Sequence, residues 1–131
     1  MPATRPPSLV SLKRRAEFLR VRGGSHCATA SFVLEAKPRQ QEESARQARF
    51  GFTVTKRLGK AVDRNRIKRR LRAAVRDVQM HHAKPGFDYV IVARAPALET
   101  AYATLVVDLE KALERVHEAP RDRRGAKGTT R

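Results

Sequence analysis

Apolar positions along the chain follow two rhythms, one of period two and one of period 3.6, and the changes between them mark the elements. Leu12, Phe18 with Leu19, and Val21 predict a short helix over Ser11 to Arg22, with Ser11 as its N-cap and Gly23-Gly24 as its stop. Cys27 to Ala36 reads as a strand centred on Phe32, Val33 and Leu34. Lys37 to Ala48 is polar, with Pro38, Gln40, Gln41, Glu42, Glu43 and Ser44, and reads as a mobile hairpin loop. From Arg49 to Thr55 alternation resumes. Phe50, Phe52 and Val54 fall on one side and Arg49, Gly51, Thr53 and Thr55 on the other. These two strands are expected to pair antiparallel. A basic crossover loop follows from Lys56 to Val62 and contains Gly59.

The strongest helical pattern runs from Asp63 to about His81, where Ile67, Leu71, Ala74, Val75 and Val78 form one apolar stripe. Asp63 suits the positive end of the helix dipole and could cap it. Pro85-Gly86 ends the unit, and Phe87 to Ala93 is a near-continuous apolar run of the kind a central strand carries. Beyond Pro96, a last helix is predicted from about Ala101 to Glu118, with Leu105, Leu109, Leu113 and Val116 inward and Thr100 as cap. The order α-β-β-α-β-α describes an α+β single-domain, two-layer sandwich with a small sheet, over residues 11–119. Residues 1–10 read as a disordered lead-in and residues 120–131 as a disordered basic tail.

Charge changes this picture. The 131 residues carry 29 Lys and Arg against 13 Asp and Glu, a formal net charge of +16. Such an excess repels itself in the compact state and calls for a polyanionic partner. No run of about 18 apolar residues is present to span a bilayer, and the first ten residues lack the apolar core of a signal peptide. A cytoplasmic protein is therefore expected, with no membrane partner. Cys27, the single cysteine, excludes an internal disulfide or a multi-cysteine zinc site and reads as a buried thiol. His81 and His82 are adjacent and read as the polar end of a helix, while His26 and His117 are isolated. No paired-carboxylate, Ser-His-Asp or phosphate-loop pattern appears. Binding is favoured over self-contained catalysis.

The positive charge is focused. Lys56, Arg57, Lys60, Arg64, Arg66, Lys68, Arg69, Arg70, Arg72 and Arg76 crowd one segment whose single acid is Asp63. At 3.6 residues per turn, Asn65, Arg69, Arg72 and Arg76 fall near one line opposite the apolar stripe. Ordinary solvated helices interleave acids, and none stands between Arg64 and Arg76. Guanidinium forks grip phosphates bidentately and stack on bases, and Asn65 can read a hydroxyl or base edge. A second surface is suggested by Arg49, Thr53 and Thr55 on one strand face with Phe18 at its border, although periodicity alone favours Phe18 as a core residue.

From Arg49 to Arg72 the chain reads RFGFTVTKRLGKAVDRNRIKRRLR, with Arg64-Asn65-Arg66 at its centre. This stretch resembles the signature of the bacterial ribonuclease P protein family. Phe18 with Gly23-Gly24, the Ser31 to Leu34 run, and Asp88 to Arg94 followed by Ala95-Pro96 resemble the family's first helix, first strand and third strand, so the resemblance spans roughly residues 11–117. It implies a mostly antiparallel sheet with a left-handed β-α-β crossover. It also implies a catalytic RNA partner contacted by Arg64, Asn65, Arg66, Lys68, Arg69 and Arg72, with Lys56, Arg57 and Lys60 extending the surface. The 5′ leader of precursor tRNA would lie in a cleft bordered by Phe18, Arg22, Arg49, Thr53 and Arg94. The implied chemistry is endonucleolytic and RNA-based, with magnesium held mainly by RNA and no catalytic side chain on the protein. Where the family pattern has further aromatics, this chain has Arg22 and Ala36, which predicts a more electrostatic, less stacking cleft.

Three rivals share parts of this pattern. A small ribosomal protein would share the charge and the sandwich but not the Arg49–Arg72 signature. A DNA-binding regulator would pair its recognition helix with a second helix across a short turn, whereas a strand and crossover loop precede the basic helix here. A self-sufficient nuclease needs carboxylates or histidines converging on a metal, and the basic segment offers only Asp63.

Overall fold

The computed structural model describes residues 9–39 and 47–118. The lead-in before residue 9, most of the polar loop at 40–46, and the basic tail lie outside the described residues. The elements are α1 (Arg15–Val21), β1 (Ser25–Ala28), β2 (Phe32–Pro38), β3 (Arg49–Thr53), α2 (Ala61–His82), β4 (Phe87–Ala93) and α3 (Tyr102–Val116). Short 3-10 turns at Lys56–Leu58 and Ala95–Leu98 precede the two long helices.

The stretch expected to be one strand from Cys27 is a hairpin. Thr29 closes its turn: the backbone N–H reaches the Phe32 carbonyl at 2.7 Å, and Oγ1 accepts from the N–H groups of Ser31 and Phe32. The chain order is thus α-β-β-β-α-β-α, and the four strands lie in the order β1-β2-β4-β3. β2 and β3 do not pair. β4 inserts between them, antiparallel to β2 from Phe32↔Ala93 to Pro38↔Phe87 and parallel to β3 from Arg49↔Asp88 to Thr53↔Val92. The most apolar strand thereby takes the position covered on both faces. β3, α2 and β4 form the crossover unit of the fold.

α2 and α3 pack on one face of the sheet. Ile67, Leu71, Ala74, Val75 and Val78 of α2, with Leu105, Leu109, Leu113 and Val116 of α3, close over Phe32, Leu34, Phe50, Tyr89 and Ile91. Cys27 lies against this core, where burial pushes its thiol pKa up, as suits an inert side chain. Tyr89 anchors the far end. Its hydroxyl accepts the Lys84 N–H at 2.8 Å and stands 2.6 Å from His117 Nε2. Burial pushes Tyr89 up to about 12, and burial together with the Lys84 charge pulls His117 down to about 4. The imidazole is therefore neutral near pH 7, and it shares one hydrogen bond with the intact phenol. His117 also meets the Phe87 ring edge-on at 4.5 Å, so this histidine is a structural pin.

α1 crosses the opposite face of the sheet, where Leu12, Val21 and Val90 form a smaller cluster with Phe18 and Val92. The helix begins later than the sequence suggests. Ser11 runs along the outer edge of β3: Phe50 N–H reaches the Val10 carbonyl at 2.8 Å, and Leu12 N–H reaches the Phe50 carbonyl at 2.9 Å. Ser11 is therefore no cap. Glu17 caps instead, its Oε1 accepting the N–H groups of Lys13 and Arg14, and these bonds hold its carboxyl below the usual range.

The caps of the long helices are also shifted. α2 starts at Ala61 with Lys60 as N-cap, which leaves Asp63 inside the first turn. Gly59 closes the preceding 3-10 turn at φ 134°, a conformation L side chains rarely adopt. Thr100 does not cap α3, because its hydroxyl turns back to the Pro96 carbonyl at 2.7 Å.

Candidate nucleic-acid interface

The 22-residue helix α2 contains no Gly or Pro, and its Arg, Lys, Leu and Ala residues are good helix formers. Its cations nevertheless repel one another at four-residue spacing. Arg64/Lys68, Arg66/Arg70, Lys68/Arg72 and Arg72/Arg76 each cost roughly 0.2–0.5 kcal/mol. Burial of the apolar stripe offsets this and fixes which side faces out. Asn65, Arg66, Lys68, Arg69 and Arg76 are exposed, as are Lys56, Arg57 and Lys60 on the approach to the helix.

Not every cation of the segment stands free. Arg64 is half-buried and donates from Nε to the Gly59 carbonyl at 3.1 Å. Arg72 is half-buried with its guanidinium 5.9 Å from the centre of the Phe52 ring, so it leans toward β3 rather than standing on the outward line. Arg70 is a latch. Its Nε donates to the Ala97 carbonyl at 3.1 Å and its Nη2 to that of Thr100, which ties α2 to the segment before α3.

The second surface is the sheet face crossed by α1. The register sets its rows: Lys37–Asp88–Arg49, then Glu35–Val90–Gly51, then Val33–Val92–Thr53. α1 covers the first rows and only part of the third: Val92 packs against the α1 cluster, yet all three members of that row stay half-buried, and this partly open row floors a groove. Phe18 forms the rim. Its ring lies so close to β3 that a Cβ on Gly51 would stand 2.4 Å from Cε2, so the glycine is the seat of the ring. Arg22, exposed one turn after Phe18, continues the rim, and exposed Arg94 stands past the end of β4 with Nη1 on the Thr29 carbonyl at 3.0 Å.

Two expected cleft features do not lie as the sequence reading placed them. Arg49 is committed inward: Nε and Nη2 grip both oxygens of Asp88 at 2.9 and 2.8 Å, and Nη1 reaches Glu17 at 3.4 Å. Ala36 faces the main core and is 2% exposed, so its small size has no bearing on the groove. Three features escaped the sequence reading. Asp88 is fully buried, and although burial acts to raise its pKa, hydrogen bonds from Arg49, Arg39 and Arg20 prevail and hold it below the usual range. Its trace in the sequence was a lone acid inside an otherwise apolar strand. Gly51 left a similar trace as a glycine inside a strand. Glu35, a carboxylate on the groove side of β2, left none.

A basic helix on one side of a small sheet and an aromatic-edged face on the other define an α+β protein with two surfaces of positive charge. The family model for ribonuclease P matches residues 7–117. Among characterised relatives, the ribonuclease P protein component of Paramagnetospirillum magneticum is 45% identical over 107 residues, covering 80% of each chain. That of Bartonella quintana is 43% identical over 106 residues, covering 79% of this chain and 80% of the relative. The solved RNase P protein of Staphylococcus aureus superposes with a TM-score of 0.68 at 29% identity, covering 84% of this chain and 97% of that one. The Thermotoga maritima RNase P protein gives 0.69 at 25% identity, covering 82% and 97%. The chain belongs to the ribonuclease P protein family, the protein component of the tRNA-processing endoribonuclease.

Proposed function

We propose that this chain binds the catalytic RNA of ribonuclease P through α2 and its approach, and receives the 5′ leader of precursor tRNA in the groove beside Phe18. The observation that carries the reading is the outward side of α2. Arg66, Lys68 and Arg69 are exposed on a helix held rigid by its buried stripe, so their contacts with phosphate need little ordering. Asn65 adds a polar group that discriminates among bases or hydroxyls. Arg64 and Arg72 present partly immobilised guanidiniums, while Lys56, Arg57 and Lys60 lengthen the footprint. In the groove, Phe18 offers an aromatic ring for stacking, Thr53 a hydroxyl on the floor, and Arg22 and Arg94 charges at the margins. Arg49 supports the groove from beneath.

On this reading the protein contributes no catalytic side chain. Magnesium binds through one or two carboxylates plus phosphate oxygens, and Asp63 is the single acid along the basic segment, so the ion is assigned to the RNA and substrate. There the metal supplies charge neutralisation and an activated water. The protein screens repulsion between two large RNAs and holds the leader.

The test is cleavage of precursor tRNA by a bacterial ribonuclease P RNA at low magnesium, with and without this protein. Stimulation by the wild type, lost in Arg64→Ala/Arg66→Ala, is expected. Tight RNA binding without stimulation would overturn the reading in favour of a general RNA-binding role.

A further inference from the structure

Asp88 stands where three segments meet. Its Oδ1 accepts from Arg39 Nη1 at 2.6 Å and Arg49 Nε at 2.9 Å. Its Oδ2 accepts from Arg49 Nη2 at 2.8 Å and Arg20 Nη2 at 2.9 Å. The three arginines come from α1, the residue after β2 and the start of β3. Each has a further hold: Arg20 on the Pro38 carbonyl, Arg39 on the Gln47 carbonyl, and Arg49 on Glu17 of α1.

The consequence falls on α1. A seven-residue helix has almost no stability of its own, so its position is set from outside. Besides the small apolar cluster, two ion pairs tie it to the sheet, Arg20–Asp88 and Glu17–Arg49. Phe18 lies between those two tied residues in the chain, and Arg22 follows them. A buried ionic cluster is a poor source of net stability, because apolar replacements often serve as well. What this one supplies is a fixed geometry, with bidentate guanidinium contacts that set angle as well as distance.

We propose that Asp88 is a positioning residue for the leader: through Arg20, and through Arg49 and Glu17, it fixes α1 across the open sheet face and thereby places Phe18 and Arg22 on the groove. This rests on the assignment of the groove to the 5′ leader. The sign of the effect distinguishes it from simple electrostatics. Asp88 and Glu17 are acids beside a polyanion path. If they acted only through charge, neutralising either would tighten leader binding. If they position α1, neutralising either weakens it.

The experiment uses the complex reconstituted with a bacterial ribonuclease P RNA. It compares affinity for a leader-bearing precursor with affinity for the same tRNA lacking the leader. In Asp88→Asn the leader's contribution should fall about tenfold, while affinities for the leaderless tRNA and for the catalytic RNA stay within about twofold of wild type. Glu17→Gln keeps a side-chain oxygen to accept the Lys13 and Arg14 N–H groups, removes the charge from a pair at the partly exposed surface, and should fold whatever happens to Asp88→Asn. It should lose about threefold, and Arg49→Lys should also lose although its charge is kept. A leader preference that is unchanged or increased in Asp88→Asn and Glu17→Gln would overturn the positioning role. A wild-type complex with no leader preference at all would instead overturn the assignment of the groove.

Discussion

Replacing Gly51 with alanine tests the seat of Phe18 directly. The added methyl would stand 2.4 Å from Cε2 and 2.6 Å from Cζ of the ring, and 3.1 Å from Leu12 Cδ1. Ordinary carbon contacts begin near 3.5 Å, so the ring must retreat by about 1 Å or swing off the strand. Retreat is resisted because α1 is tied on both sides of Phe18 and Leu12 is itself buried. Overpacking of this kind costs about 1–3 kcal/mol. For a domain of this size that lowers Tm by about 4–12 °C. Thermal unfolding followed by circular dichroism gives the stability, and leader-bearing against leaderless tRNA binding gives the function. Affinity for the catalytic RNA should not change, because α2 lies on the other side of the sheet. A variant with wild-type Tm and wild-type leader discrimination would refute the close packing of Phe18 on β3.

Other expectations follow from the same geometry. Arg66→Ala and Arg69→Ala should each weaken binding of the catalytic RNA by about 1–3 kcal/mol at unchanged Tm, whereas Arg70→Ala, which removes the latch on Ala97 and Thr100, should lower Tm first; parallel filter-binding and melting curves separate the two. Glu35→Gln should tighten the leader-bearing precursor about two- to fourfold, since one charge about 7 Å from a phosphate in water is worth about 0.6 kcal/mol; no gain at low salt would place the leader away from β2. His117 has a folded pKa of about 4 against an ordinary 6.5, so its contribution to stability is complete above pH 6.5 and is lost as pH falls toward 4. Denaturant unfolding between pH 7 and 5 should show declining stability, with a flatter slope in His117→Gln. Asp88 and Glu17, both held low, act only below that window.

Elements dominated by one strong period were legible in the sequence. The stripe from Ile67 to Val78, the apolar run from Phe87 to Ala93 and the Leu105–Val116 repeat each gave the right element within a few residues. What failed was decided by distant partners or by side chains imitating a turn. The β1–β2 hairpin turns on Thr29, with no Gly, Pro or Asn to mark it. The pairing of β2 with β4 depends on a competition for the central position that no local window contains. Ser11 looked like a cap and became an edge contact because Phe50, 39 positions on, offered its backbone. The site divides in the same way. The outward cations of α2 follow from helix geometry alone. The inward commitment of Arg49 follows from Asp88, also 39 positions away, and was closed to any periodicity argument.

The uninterrupted cations of α2 carry a consequence for how the protein responds to its medium. Added salt screens the repulsion along the helix and should raise the stability of the free chain. The same salt competes with the chain for RNA phosphates and should weaken the complex steeply. With α2 as the RNA contact proposed above, one helix gives two opposite ionic-strength dependences, and RNA would do for the bound chain what salt does for the free one. The conditions under which this protein keeps best in isolation are therefore the ones under which it binds RNA least.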